Sequence, residues 1–306
     1  MRYLLGLLLL LKGLLLSGLA AGAVVPELPQ RPQRIVSINL CTDQYLLLLA
    51  DPAQIRSLSF LAHQPDSSYL YRKALAYPAN RAEVEQVISY RPDLILGGTF
   101  TSRATTRLLQ QQGFNIQLLG HPRSLREVEQ QLQSLGALLG QQQRAQQVVT
   151  QMRQRREQLE QALAAEGIEP AQRPSLLQYA PGGFTQGAET LVGELIRRAG
   201  WRNAATELGI VLMGRLDLEQ LLQLAPLALV DAPTTAASHS VAEQMLRHPV
   251  LAQLSRPRYR IRLDRRLWIC GGPWLLDAVD ALWQERQRIL QLEQARGRAA
   301  DEADQR

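Results

Sequence analysis

The chain is poor in the residue types that carry most chemistry: 306 residues include two cysteines, four histidines, two lysines and 16 aromatic rings. Two cysteines, Cys41 and Cys270, are too few for a disulfide scaffold. The histidines His63, His121, His239 and His248 form no paired ligand motif. A zinc or manganese receptor, with three or four His and carboxylate ligands converging, is therefore the weaker alternative, and no metal site is expected. Gly97-Gly98 and Gly271-Gly272 read as tight turns without phosphate-binding spacing, and no nucleophile elbow surrounds Cys41. An exported thiol enzyme using Cys41 with a histidine base stays as an alternative, though no catalytic residue is expected. Lysine is almost absent beside 32 arginines, which reflects base composition and carries no function. No basic run is interleaved with aromatics, so no nucleic-acid partner is expected.

Long apolar runs are confined to the start. MRYLLGLLLLLKGLLLSGLAAGA has a short basic opening, an apolar stretch broken by Lys12, and the small-residue site Ala21-Gly22-Ala23. It reads as a secretory signal over residues 1–23, cleaved after Ala23, so that the mature chain is expected to be exported. No cysteine follows the cleavage site, which argues against a lipid anchor, and no later run spans a bilayer. Removing Arg2 and Lys12 with the leader leaves 32 basic against 28 acidic side chains, too even a balance to imply an anionic polymer as partner.

What remains is an alternation. RIVSINL, IRSLSF, LILGG and FNIQLLG read as short buried strands, with QYLLLLA, VEQVISY and TSRATTRLLQQQG as helices between them. Such alternation predicts parallel strands with crossover helices. Ser124 to Glu127 is a capping box, and residues 141–166 contain neither Gly nor Pro. Their apolar positions, spaced three or four apart, predict one helix on the order of 35–40 Å long with a single narrow stripe. It reads as a rigid strut. Strand and helix patterns then resume through RPSLLQY, TLVGELIRRAG, LALVDAP, VAEQMLRHPVLAQL, YRIRL and LLDAVDALWQERQRILQLEQ. One sentence is spoken twice: VEQVISYRPDLIL at 84–96 and LEQLLQLAPLALV at 218–230. The fold class is α/β, two doubly wound lobes with mainly parallel sheets joined by one long helix. The expected boundaries are 24–123 for the first lobe, 124–168 for the connecting helices, 169–293 for the second lobe and 294–306 for a disordered tail.

The motifs PQRIVSIN, EQVISYRPDLIL, GFTQGAETLVGELIRRAGWRNAA, DLEQLLQLAPLALV and RLWICGGPWLLDAV, in that order, cover roughly residues 31–290. Together they resemble the periplasmic substrate-binding proteins of ABC importers that handle cobalamin, iron-siderophores and haem, with the strongest likeness to the cobalamin branch. The resemblance implies a non-enzymatic monomer without cofactor. It would hold a corrinoid or iron chelate in a cleft between the lobes and pass it to an ABC permease in the inner membrane. It also implies one exposed glutamate per lobe, Glu85 and Glu219, docking onto permease arginines. Ligands of open α/β sheets sit at the carboxyl ends of the strands. Candidate ligand residues at those ends are Asn39, Cys41, Phe60, His63, Phe100, Tyr179, Phe184, Trp268 and Trp274. About half of the six aromatic rings are expected to reach ligand. His63 and His121 also stand at strand ends, where axial ligation of a metal macrocycle is open. Cys41 and Cys270, one in each lobe, could pair across the cleft, act as soft ligands or fill the core.

Overall fold

RIVSINL becomes β1 (Ile35–Ser37), a fully buried strand at the centre of the first sheet. The computed structural model describes residues 31–231 and 258–304. The leader, the VAEQMLRHPVLAQL segment, His239 and His248 lie outside those residues. Around β1 stand β2 (Ile55–Ser59), β3 (Ala79–Asn80), β4 (Leu94–Gly98) and β5 (Ile116–Leu119), all parallel, in the order β3-β2-β1-β4-β5. That is a doubly wound order, and its direction of winding reverses between β1 and β4. The crossover helices are α1 (Leu40–Leu49), the short α2 (Tyr71–Ala74), α3 (Val84–Ser89) and α4 (Arg103–Gln111). α1 begins earlier than its apolar run suggests. Asn39 caps it, so Cys41-Thr42-Asp43, expected in a loop, form its first turn.

Ser124 caps α5 (Leu125–Leu138), accepting from the Glu127 amide at 3.1 Å; the Glu127 carboxylate accepts from the Arg123 amide at 2.7 Å and so does not close the expected box on Ser124. The strut follows as α6 (Gln142–Ala165), 24 residues or about 36 Å. Only Ala145, Val149 and Met152 of α6 are fully buried. They pack on α5, where a Cβ on Gly136 would come within 2.3 Å of the Ala145 side chain. Gly136 is what lets the two helices approach. The rest of α6 is held by ion pairs: Arg153 and Arg156 both reach buried Glu129 of α5, at 2.7 and 2.5 Å.

The second lobe carries β6 (Ser175–Gln178), β8 (Arg202–Asn203), β10 (Ala228–Asp231) and β11 (Tyr259–Arg262) in a parallel sheet of order β11-β10-β6-β8. Here the reversal falls between β6 and β10. A small antiparallel ribbon, β7 (Phe184–Gln186) with β9 (Met213–Arg215), and the two-residue β8 leave no trace in the apolar alternation. α7 (Leu191–Arg198) and α8 (Leu218–Leu224) pack on the sheet. α9 (Leu275–Asp304) closes the chain. The expected disordered tail at 294–306 is corrected here: the helix runs to Asp304, since Ala, Arg, Glu and Gln dominate that stretch and favour helix even when exposed.

The repeated sentence is a repeated piece of structure. α3 with β4 in one lobe and α8 with β10 in the other place their strands beside β1 and β6, the first strand of each sheet. Both helices leave through a residue with positive φ, Arg91 (48°) or Ala225 (39°), immediately before the proline that stops the helix. One core runs through both lobes. Leu46 and Leu96, Val128 and Leu132, and Trp201 and Leu282 belong to the same buried cluster.

Candidate functional site

The cleft is assembled where both sheets present their carboxyl ends. At the reversal between β1 and β4 lies a first hollow lined by Asn39, Gly98, Phe100 and His121 of the first lobe and Gly271 of the second. Asn39 Oδ1 accepts from the backbone amides of Cys41 and Thr42 at 2.9 and 3.4 Å, so the cap of α1 also shapes the hollow. A Cβ on Gly98 would stand 2.9 Å from Asn39 Nδ2, so a larger residue there would displace the capping side chain. Phe100 is 81% exposed and meets the His121 ring edge-on, 6.2 Å between centroids. No lining residue of this hollow is charged. The surrounding walls lower the His121 pKa by desolvation, against an opposing pull from Glu127. The imidazole is therefore biased toward its neutral, ligand-donating form.

A second hollow, about 340 Å³, opens on the other side of His121. It is lined by Gln178 at the end of β6, by Pro181 and Gln186, and by Arg265, Trp268 and Ile269 from the segment after β11. His121 is common to both hollows and joins them into one groove across the lobes.

The lobes are clasped beside this groove. Cys41, in the first turn of α1, is disulfide-bonded to Cys270, with Cα atoms 5.1 Å apart. Tyr69 of the first lobe stacks on Trp274 of the second at 5.0 Å and donates to Asp277 Oδ2 at 3.1 Å. Arg155 of the strut donates to Asp277 Oδ1 at 2.5 Å and also reaches Asp280. Strut, first lobe and α9 thus meet at one carboxylate.

A family model for the periplasmic binding protein matches residues 35–256. The chain belongs to that family. A cobalamin-binding protein of Halobacterium salinarum is 25% identical over 183 residues, which are 59% of this chain and 48% of the relative. The matched region spans about half the length of that curated relative. Among solved structures, a periplasmic heme-binding protein from Pseudomonas aeruginosa is 25% identical with a TM-score of 0.67, over 82% of this chain and 91% of that one. The heme-binding protein RhuT from Roseiflexus sp. RS-1 (TM-score 0.68, 23% identity, 83% and 99% covered) shares the fold. So does the vitamin B12 binding protein BtuF of Vibrio cholerae (TM-score 0.61, 18% identity, 85% and 98% covered). These relatives are solute-binding proteins, and this chain has their two-lobed frame.

Within this binding protein the candidates named from sequence scatter. Asn39, Cys41, Phe100 and Trp268 line the groove. Phe60 and Phe184 are exposed near strand ends but line neither hollow. Arg81 covers one ring at 5.1 Å and Arg215 the other at 5.3 Å. Three further candidates line neither hollow. Tyr179 is 2% exposed and sealed in the core of the second lobe, its hydroxyl directed to the Leu216 carbonyl. Trp274 is buried and spends its indole N–H on the Cys270 carbonyl at 3.0 Å. His63 is tied by Nε2 to the Ala74 carbonyl at 2.9 Å, which takes one ring nitrogen out of play. Tyr179 and Trp274 turn into the core, whereas His63 is half-buried in the turn after β2. Sequence reasoning missed Gln178 and Arg265. Gln178 sits one residue before the chosen Tyr179, and successive strand residues face opposite ways. Arg265 lies in a short 3₁₀ turn without a motif.

Cys41 has its sulfur in the disulfide, so the thiol-enzyme alternative has no free nucleophile in this state. No group of three or more His, Cys, Asp or Glu side chains could hold a metal ion among the described residues. Nor is any helix among them long and apolar enough to cross a membrane. Glu85 and Glu219 both lie in the first turn of their short helices, exposed. Their neighbours have local duties: Gln86 accepts from the Arg81 amide at 2.8 Å, and Gln220 completes a capping box with Asp217.

Proposed function

We propose that the protein is an exported, non-enzymatic receptor that captures a corrinoid or an iron chelate in the groove between its lobes and delivers it to an ABC permease. The observation that carries this reading is the pair of hollows at the two sheet reversals, joined at His121. They place the exposed Phe100 ring, and part of the largely buried Trp268 ring, beside an imidazole biased toward its neutral form. A large metal macrocycle needs that combination: area to bury against, few polar contacts, and one soft nitrogen within reach of the metal. Relatives whose printed names are cobalamin-binding and heme-binding support the ligand class. The leader at 1–23 supports export, and Glu85 and Glu219 are the proposed permease contacts.

Titrating the purified protein with cobalamin, haem and a ferric siderophore, and following tryptophan fluorescence, tests the ligand class. Trp268 on the groove wall is the expected reporter. One of the three should quench with a Kd of about 1 μM or tighter, and Trp268→Phe should remove most of the signal without abolishing binding. Absence of binding by all three at roughly 100 μM would sink the receptor reading.

A further inference from the structure

The two hollows differ in charge. The first has no charged residue in its wall, whereas the second has Arg265 and no carboxylate. Arg265 is half-buried, and its guanidinium has no hydrogen bond or ion pair among the described residues. Its neighbour Arg266 shows what a satisfied guanidinium looks like here, making contacts to both Asp264 oxygens at 2.5 to 3.0 Å. Gln178, also in the wall of the second hollow, is 9% exposed, and its Oε1 has no hydrogen-bond partner. A buried amide left unsatisfied is costly. The amide nitrogen of the same side chain carries two N–H donors with no hydrogen-bond partner among the described residues, and these can meet an acceptor in the hollow. Gln186, half-buried in the same wall, adds a second amide.

We infer that the second hollow is an anion-recognising subsite, in which Arg265 and Gln178 bind a carboxylate substituent of the ligand. The inference rests on the receptor reading above and narrows it to carboxylate-bearing metal macrocycles, porphyrin acids being the model, over corrinoids whose substituents are neutral amides. A guanidinium fork matches the two oxygens of a carboxylate in one plane, and the amide then completes the shell. The phosphodiester of a complete corrinoid is also an anion, so the test has to separate carboxylate from phosphate.

Haem, haem dimethyl ester and cobalamin serve as the three probes, each titrated against the wild-type protein, Arg265→Gln and Arg265→Lys. Esterification removes both carboxylate charges and leaves the ring and iron intact. The expected result is haem binding at least about tenfold more tightly than its ester to the wild type, the scale of one lost charge-assisted contact. That ratio should fall toward one in Arg265→Gln through loss of haem affinity, with ester affinity unchanged, and should be largely retained in Arg265→Lys. Equal binding of haem and ester by the wild type overturns the subsite while leaving the receptor reading intact, as does cobalamin binding more tightly than haem. Survival of the ratio in Arg265→Gln removes Arg265 from the assignment. Failure of all three probes to bind the wild type brings down the receptor reading and this inference with it. Because the wild-type haem-to-ester ratio needs no variant, a folding defect in either substitution does not protect the proposal.

Discussion

Asp43 is a carboxylate with no surface in water. It lies in the first turn of α1, accepts from the Ser59 amide at 3.0 Å, and pairs with the Ser59 hydroxyl at 2.5 Å. Burial raises its pKa to about 7 from 3.8, although the hydrogen bonds to Ser37 and Ser59 pull the other way. The folded protein therefore keeps this proton through a window in which the unfolded chain has released it. Folding takes up a proton between about pH 4 and pH 7, so the contribution of Asp43 to stability is fully present at the acid end and falls as pH rises. The slope is at most about 1.4 kcal/mol per pH unit. Asp43→Asn preserves the acceptor to the Ser59 amide and mimics the protonated form. The variant should melt with a flatter pH dependence than the wild type between pH 4 and 7, measured by thermal denaturation. Parallel curves would show that Asp43 is ionised in the folded state. Ser59 ends β2, just before the Phe60–His63 turn, so this one proton also braces the end of the first sheet.

At the scale of elements, the strut is the part whose stability is least apolar. Three fully buried side chains in 24 residues cannot hold it, and charged groups do much of the rest. Its far end is fastened by Glu166, which accepts from Trp283 Nε1 at 2.7 Å and Gln287 Nε2 at 2.6 Å and pairs with Arg286 of α9. Arg286 is fully buried, and its Nε also donates to the Ala199 carbonyl at 3.1 Å. Burial raises the Glu166 pKa, but the hydrogen bonds from Arg286 and Trp283 outweigh it and keep the group ionised. Removing the carboxylate strands a guanidinium in the core. Glu166→Ala should cost about 3–5 kcal/mol in chemical denaturation, and adding Arg286→Leu should recover part of it. Equal losses in the single and double variants would mean that the pair matters only through packing. The strut itself was legible because a narrow stripe at helical spacing, without Gly or Pro, has no other reading. Glu166 as its anchor was not, since nothing local distinguishes it from the exposed glutamates of the same helix. The β7–β9 ribbon was equally hidden, since FTQ and MGR are too short to show an alternating apolar face.

For the whole molecule, strut, disulfide and the Tyr69–Trp274–Asp277 contact join the lobes at several points, which makes the groove a preformed surface. The repeated helix–proline–strand units then carry one exposed glutamate on each lobe. Two carboxylates on a frame of fixed spacing can steer and orient a partner bearing two cationic sites. On the proposed docking to an ABC permease, replacing both, Glu85→Arg with Glu219→Arg, should abolish stimulation of that permease's ATPase in reconstituted vesicles, each single change giving a partial loss. Ligand affinity should stay within about twofold, because neither residue lines the groove. Undiminished stimulation by the double variant would return both glutamates to ordinary solvated helix positions.

By itself the sequence determined the longer buried strands, the amphipathic helices, the strut and the repeated unit, because each depends on local periodicity, on capping residues such as Ser124, and on the prolines that end a helix. It also placed Asn39, Phe60, Phe100 and Tyr179 just beyond β1, β2, β4 and β6. Only the tertiary structure decided which of them look into the groove. Tyr179 and Gln178 are neighbours in the chain, yet one is sealed in the core and the other lines the hollow. Cys41 and Cys270 are 229 residues apart, and their pairing exists only because the two sheets face each other. Facing is a property of packing between lobes, which no short window of sequence contains.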